Sequence, residues 1–302
     1  MCIIIKRCTF VGNKIFCNIN QIIVITGPTA SEKTAKAIEM ALQMNCDIIS
    51  ADSRQVYREM SIGTAKPTVE QLSKVNHHFI GHVSIHQEYN VGKYEHEAIS
   101  LLEDYFKDND KIILCGGTGL YIDAVLFGID VFPEIPNTIK SSINTKFEEQ
   151  GLSWLQQEVL SLDKEYFNKV DQDNPRRLIR ALEVIYTTGD TYTSFRTGSI
   201  IHRNFEVKGI VAMPERPLLY DRINKRVDRM ILMGLEEEAK SFYPYKDLKA
   251  LQTVGYQEFF DYFDNKISRE RAIELIKQNT RNYAKRQITW MKKYTDFEKL
   301  SS

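Results

Sequence analysis

Residues 21–44 read QIIVITGPTASEKTAKAIEMALQM. The run from Gln21 to Thr26 is short, continuous and β-branched, the pattern of a strand buried on both faces of a parallel sheet. From Thr34 onward Ala37, Met40, Ala41 and Met44 recur at spacings of three and four, which predicts an amphipathic helix. Between them lies a loop of the form G-x-x-x-x-G-K-[ST], with Glu32 where the second glycine belongs. In such a loop the backbone N–H groups of Gly27, Pro28, Thr29, Ala30 and Ser31 (Pro28 contributing shape only) and the helix N-terminus cradle phosphate oxygens. Lys33 adds a mobile charge, and the Thr34 hydroxyl suits Mg²⁺. The competing reading is a plain strand-to-helix turn capped by Ser31 and Thr34. The strand before, the helix behind and the adjacent Lys-Thr favour the phosphate loop.

The same alternation continues outward. CDIISADS (46–53) reads as a second buried strand, AISLLEDYF (98–106) as a helix and KIILCGGTG (111–119) as a third strand entering a glycine turn. This order predicts an α/β fold with a P-loop NTPase-like parallel sheet core, its ligands at the carboxyl ends of the strands. Residues 137–195 look helical without a strand, NFEVKGIVAM (204–213) returns to strand, and two helical segments follow. The expected organisation is an N-terminal extension (1–20), a core of 21–136 and 196–302, and a helical insertion (137–195). The first twenty residues lack the apolar core and cleavage site of a secretory signal. They read as an extra strand or a poorly docked extension, with a weak targeting role left open.

The bulk composition excludes several classes. The 302 residues carry 40 basic and 40 acidic side chains, so the whole molecule is no polycation and any nucleic-acid contact must come from local faces. No apolar run is long enough to cross a membrane. Five scattered cysteines form no zinc spacing and suggest reduced thiols in a cytoplasmic setting.

Asp52, at the end of the second predicted strand, can face the phosphate loop; its bland alternative is to cap a following helix. Gly116, Gly117 and Gly119 allow close backbone approach around the Thr118 hydroxyl. Three basic groups stand out: Arg176, Arg177 and Arg180; Arg222, Arg226 and Arg229; and Arg281, Lys285, Arg286, Lys292 and Lys293 around Trp290. Each alone reads as a solvated face. Three together in a neutral chain mean gathered positive charge, for which RNA phosphates are a natural partner, with aromatic rings for an unstacked base.

These residues resemble the tRNA dimethylallyltransferases, in the bacterial form. The strings GPTAS-KT, ADSRQVYREMSIGTAKP, GGTGLY, PRRLIRALEV, VGYQE and YAKRQITW run in order from about Ile22 to Lys293. The resemblance implies prenyl transfer from dimethylallyl diphosphate to N6 of the adenosine 3′ of the anticodon, in tRNAs reading codons that begin with U. It implies Mg²⁺ with the diphosphate, Asp52 as general base and Thr118 orienting the amine. It also implies Arg226, with the loop and Lys33, on the diphosphate. Ser53, Arg54 and Gln55 would line the flipped adenine beside Asp52. Arg176, Arg177, Arg180, Gln252, Gly255, Tyr256, Lys285, Arg286, Gln287, Trp290 and Lys292 would meet the tRNA anticodon stem-loop. The default assembly is a monomer without membrane contact.

Two departures weigh on this expectation besides the N-terminal extension. Gly81 stands where the family has an aspartate. Glu32 stands where it has glycine, and positive φ there would cost about 1–2 kcal/mol. A carboxylate about 4 Å from a phosphate oxygen would add about 1–4 kcal/mol of repulsion. The penalty shrinks if Glu32 points to solvent or pairs with a lysine such as Lys36. The alternatives are a tRNA-binding homologue with blunted catalysis and, from the loop alone, a small-molecule kinase.

Overall fold

The structure, a computed structural model, describes residues 7–11 and 14–300, and the side chains from residue 19 onward. The expected targeting role of the N-terminal residues falls largely outside the described residues. Within them, strands β1 (Arg7–Val11) and β2 (Lys14–Asn18) pair antiparallel as a separate two-stranded sheet.

The chain divides into two compact units, one running to Phe127 and resuming at His202, the other Gly128–Ile201. In the first unit the order is β3 (Gln21–Thr26), α1 (Lys33–Met44), β4 (Ile48–Ser50), α2 (Val69–Lys74), β5 (His77–His78), α3 (Val91–Tyr105), β6 (Lys111–Gly116) and α4 (Gly119–Phe127). The second unit holds α5 (Asn137–Leu162), α6 (Lys164–Lys169), α7 (Pro175–Thr188) and α8 (Tyr192–Phe195). The first then resumes with β7 (Glu206–Ala212), α9 (Arg216–Leu232), α10 (Leu235–Phe242), α11 (Gln257–Phe263), α12 (Arg269–Met291) and β8 (Glu298–Leu300).

Six strands form one parallel sheet in the order β5-β4-β6-β3-β7-β8. Ile22, Val24 and Ile25 of β3 and Ile112 to Leu114 of β6 are buried, which accounts for their continuous apolar runs. On one face α1 packs Ala37, Ile38 and Ala41 against Ile23, Ile25 and Ile113. On the other a larger core joins Tyr94, Ile122, Val227, Tyr256, Phe259 and Ile276 to the strands. No helix among the described residues is long and apolar enough to cross a membrane.

The second unit is helical, around Ile143, Leu155, Val159, Leu178 and Leu182. Pro175 opens α7 and Gly189, at φ 79°, closes it, as proline and glycine asymmetry dictates. Buried Asp163 caps α6 through Tyr166 N–H and also accepts from the Thr193 N–H and hydroxyl, fixing α8.

Candidate active site

Because β4, β6 and β3 are neighbours, the segments leaving their carboxyl ends converge: Asp52 after β4, Gly117–Thr118 after β6, and the loop 27–32 after β3. The first turn of α1 has no side-chain cap, so its N–H groups stay free for an anion. The capping role considered for Ser31 and Thr34 is thus not what these residues do. The Ser31 hydroxyl is buried without a hydrogen-bond partner among the described residues.

Lys33 is half-buried, and the one hydrogen bond of its ammonium among the described residues is a long 3.4 Å contact to the Pro28 carbonyl. Desolvation pulls its pKa below the usual lysine range, partly offset by the nearby Cys115 and Asp52. Arg226 of α9 donates to Thr29 Oγ1 at 3.1 Å, and burial together with Arg229 lowers its pKa also. Two desolvated cations thus stand at an uncapped helix N-terminus, an arrangement of concentrated positive potential.

Glu32 adopts the left-handed conformation (φ 64°, ψ 16°), so the strain expected from a missing glycine is present. Its side chain is 66% exposed and its carboxylate lies 3.5 Å from Arg222 of α9. The partner suggested from sequence, Lys36, pairs instead with Glu39 at 3.0 Å, since both lie one turn apart on α1. Exposure and the Arg222 contact aim Glu32 out of the cradle. Glu32→Gly should therefore raise folding stability by only about 0.3 kcal/mol, because relieved backbone strain slightly exceeds the exposed ion pair and the added chain entropy together. Urea unfolding checks this, and a lower midpoint would show that the Arg222 contact dominates.

Asp52 caps no helix, since residues 51–67 contain none. Its Oδ1 accepts from Arg54 N–H (2.9 Å) and Gln55 N–H (3.3 Å), an Asx turn that fixes the carboxylate, while Oδ2 has no hydrogen bond among the described residues. Thr118 Oγ1 accepts from Ser53 N–H at 3.0 Å and its hydroxyl reaches Ser53 Oγ at 3.4 Å, tying the β4 and β6 turns together. Tyr283 of α12, unnoticed in the sequence, lies close to Thr118 and Asp52; burial, then that carboxylate, push its phenol up to about 12. It lies four residues before Gln287, on the same helix face, and that spacing was the available signal.

The expected adenine-lining residues have their polar ends engaged within the protein. Arg54 donates to the carbonyls of Lys249, Ala250 and Gln252, and Gln55 Nε2 to those of Thr64 and Ala65. Gly81, at φ 64°, donates its N–H to the Gln55 carbonyl. Glu238 of α10, which no sequence pattern marked, accepts from the N–H groups of Ser61, Ile62 and Gly63 and from the Tyr256 hydroxyl. It anchors the loop that holds Gln55.

Of the residues expected to meet tRNA, three lie buried. Tyr256 is fully buried with its hydroxyl on Glu238, Gly255 (φ 101°) shapes a turn bonded to Glu258, and Gln287 is buried on the inner face of α12. Gln252 is spent on Lys246 O and Gln257. Lys285, Arg286 and Lys292 are exposed, and Trp290, 40% exposed, donates to Asp123 and sits where a Cβ on Gly119 would strike its ring at 2.1 Å. In the second unit Arg176 and Arg177 are exposed, and Arg180 pairs with Glu183 and lies over the Phe132 ring.

The parallel sheet, with the loop after β3 and the Asp52 carboxylate at its carboxyl edge, defines an α/β protein with a P-loop-like core. The family model "IPP transferase" matches residues 55–294. A tRNA dimethylallyltransferase of Flavobacterium psychrophilum is 49% identical over 280 residues, covering 91% of each chain. That of Phocaeicola vulgatus is 44% identical over 92% of each. Among solved structures, the tRNA isopentenylpyrophosphate transferase of Bacillus halodurans is similar at 34% identity with a TM-score of 0.68, over 93% of this chain and 90% of that one. A eukaryotic dimethylallyltransferase acting on tRNA reaches a TM-score of 0.77 at 26% identity, over 93% and 74%. The chain belongs to the IPP transferase family.

Proposed function

We propose that this chain transfers the dimethylallyl group of dimethylallyl diphosphate to N6 of the adenosine 3′ of the anticodon, in tRNAs reading codons that begin with U. The observation that carries the reading is the pair of desolvated cations, Lys33 and Arg226, at the free N-terminus of α1 with Asp52 nearby. Relatives named for this reaction support it.

The exocyclic amine of adenine is a poor nucleophile because its lone pair is delocalised. Asp52, held by its Asx turn, accepts the N6 proton as nitrogen bonds to the allylic carbon, and Thr118 orients the amine. The C–O bond to the diphosphate breaks in the same event. Its electron pair leaves on the pyrophosphate, which Lys33, Arg226 and the α1 N–H groups receive. The adenine must leave its stack to reach this depth. No group of three or more His, Cys, Asp or Glu side chains suited to a metal occurs among the described residues. Mg²⁺ would enter with the donor's diphosphate, and the Thr34 hydroxyl is the side chain that would hold it. When bound, it would neutralise charge developing on the leaving group. The exposed basic side chains of α12 (Lys285, Arg286, Lys292) and of α7 (Arg176, Arg177) supply phosphate contacts for the anticodon stem-loop, the α7 set from a helical insertion. A cytoplasmic setting suits the buried free thiols Cys46 and Cys115.

The test incubates purified protein with unmodified tRNA, labelled dimethylallyl diphosphate and Mg²⁺. Label should move into the tRNA. Binding without transfer would favour a tRNA-binding homologue disabled at Glu32, and ATP-dependent phosphorylation of a metabolite a kinase. In the same assay Glu32→Gly should lower the donor KM by roughly tenfold or less, the small Coulomb effect of a screened carboxylate. An unchanged or higher KM would show the carboxylate is harmless to the donor.

A further inference from the structure

We infer that Gln287 is a positioning residue for the phosphate loop, setting the gap between the two turns that grip the donor; this rests on the prenyl-transfer reading above. The buried face of α12 is otherwise apolar or small at Ala272, Ile276, Ala284 and Met291, and Gln287 is only 6% exposed in that row. A buried carboxamide is costly unless both of its ends are satisfied. Here they are. Oε1 accepts the Thr29 N–H at 2.8 Å, and Nε2 donates to the Gly117 carbonyl at 2.9 Å.

One side chain thus ties the loop after β3 to the turn after β6. Three consequences follow from the geometry. The Thr29 N–H is withdrawn from the donor, so the anion sees the later N–H groups of the loop and α1. With its backbone pinned, Thr29 holds its hydroxyl toward Arg226, which is thereby steadied at 3.1 Å. A Cβ on Gly117 would lie 2.3 Å from Nε2, so a side chain there would displace the carboxamide from its bonds. The outer face of the same helix turn carries exposed Lys285 and Arg286, so the clamp sits beneath the basic surface without belonging to it.

The test titrates inorganic pyrophosphate with Mg²⁺ into the whole protein and its variants, and measures KM for the donor and filter binding of tRNA at a temperature well below unfolding. Gln287→Met keeps the volume and loses both hydrogen bonds. It should weaken pyrophosphate binding and raise donor KM about tenfold, while tRNA affinity stays within about twofold. Gln287→Glu keeps the acceptor for Thr29 but sets an oxygen against the Gly117 carbonyl, and should lose more. Gly117→Ala attacks the clamp from the other side and should reproduce the same donor-selective loss. Pyrophosphate affinity equal to wild type in these variants, with only a lower Tm, would reduce Gln287 to core packing and overturn the proposal. Absence of pyrophosphate binding to the unaltered protein would instead remove the diphosphate reading, and this inference with it.

Discussion

Asp52→Asn is expected to slow single-turnover prenyl transfer by about 10²- to 10⁴-fold, the span that a positioned general base contributes. Asparagine is the informative replacement. Its side-chain oxygen still accepts from the Arg54 and Gln55 N–H groups, so the turn survives while the proton acceptor is lost. Donor KM should hold or fall, because removing a negative charge near Lys33 favours an incoming diphosphate. Unfolding by urea should be close to wild type. A variant that keeps more than a tenth of the single-turnover rate would remove Asp52 as the base and shift attention to Tyr283, whose phenol lies close by.

The reasons why Asp52 was legible from sequence, and Gln287 was not, are physical. The run QIIVIT and the run KIILCG declare buried parallel strands because both faces of such a strand are covered. The ends of those strands are where ligands bind, so Asp52, Thr118 and the loop could be placed together before any coordinates. The family strings locate α12 but do not reveal which way each side chain points. Gln287 and Tyr256 therefore read as RNA contacts, and nothing in their spacing announced that both are buried. Glu238 binds three successive N–H groups from across the fold, a long-range match with no local pattern. The partner of Glu32 was sought within its own helix and is Arg222 on α9. The left-handed backbone at Glu32, by contrast, was a conditional expectation that the loop pattern itself contained.

Lys33→Met is expected to weaken donor binding about a hundredfold, the ~3 kcal/mol of a charge-assisted hydrogen bond, while leaving the protein as stable or more stable. The stability sign follows from burial. Desolvation places the folded pKa of Lys33 below its unfolded value, so between the two the unfolded chain binds more protons. Stability then rises with pH across that alkaline window. At neutral pH the buried charge is a net cost that a neutral side chain of similar length relieves. Donor affinity runs the other way. A diphosphate beside the ammonium restores its pKa, so binding takes up protons in the window between the free and the bound values. Affinity should decline as pH climbs through that range, and calorimetry in buffers of differing ionisation enthalpy should register the uptake. Both features should vanish in Lys33→Met. A pH-independent affinity in the unaltered protein, or a Lys33→Met variant that is markedly less stable, would mean that the ammonium is already paired and does not await the donor.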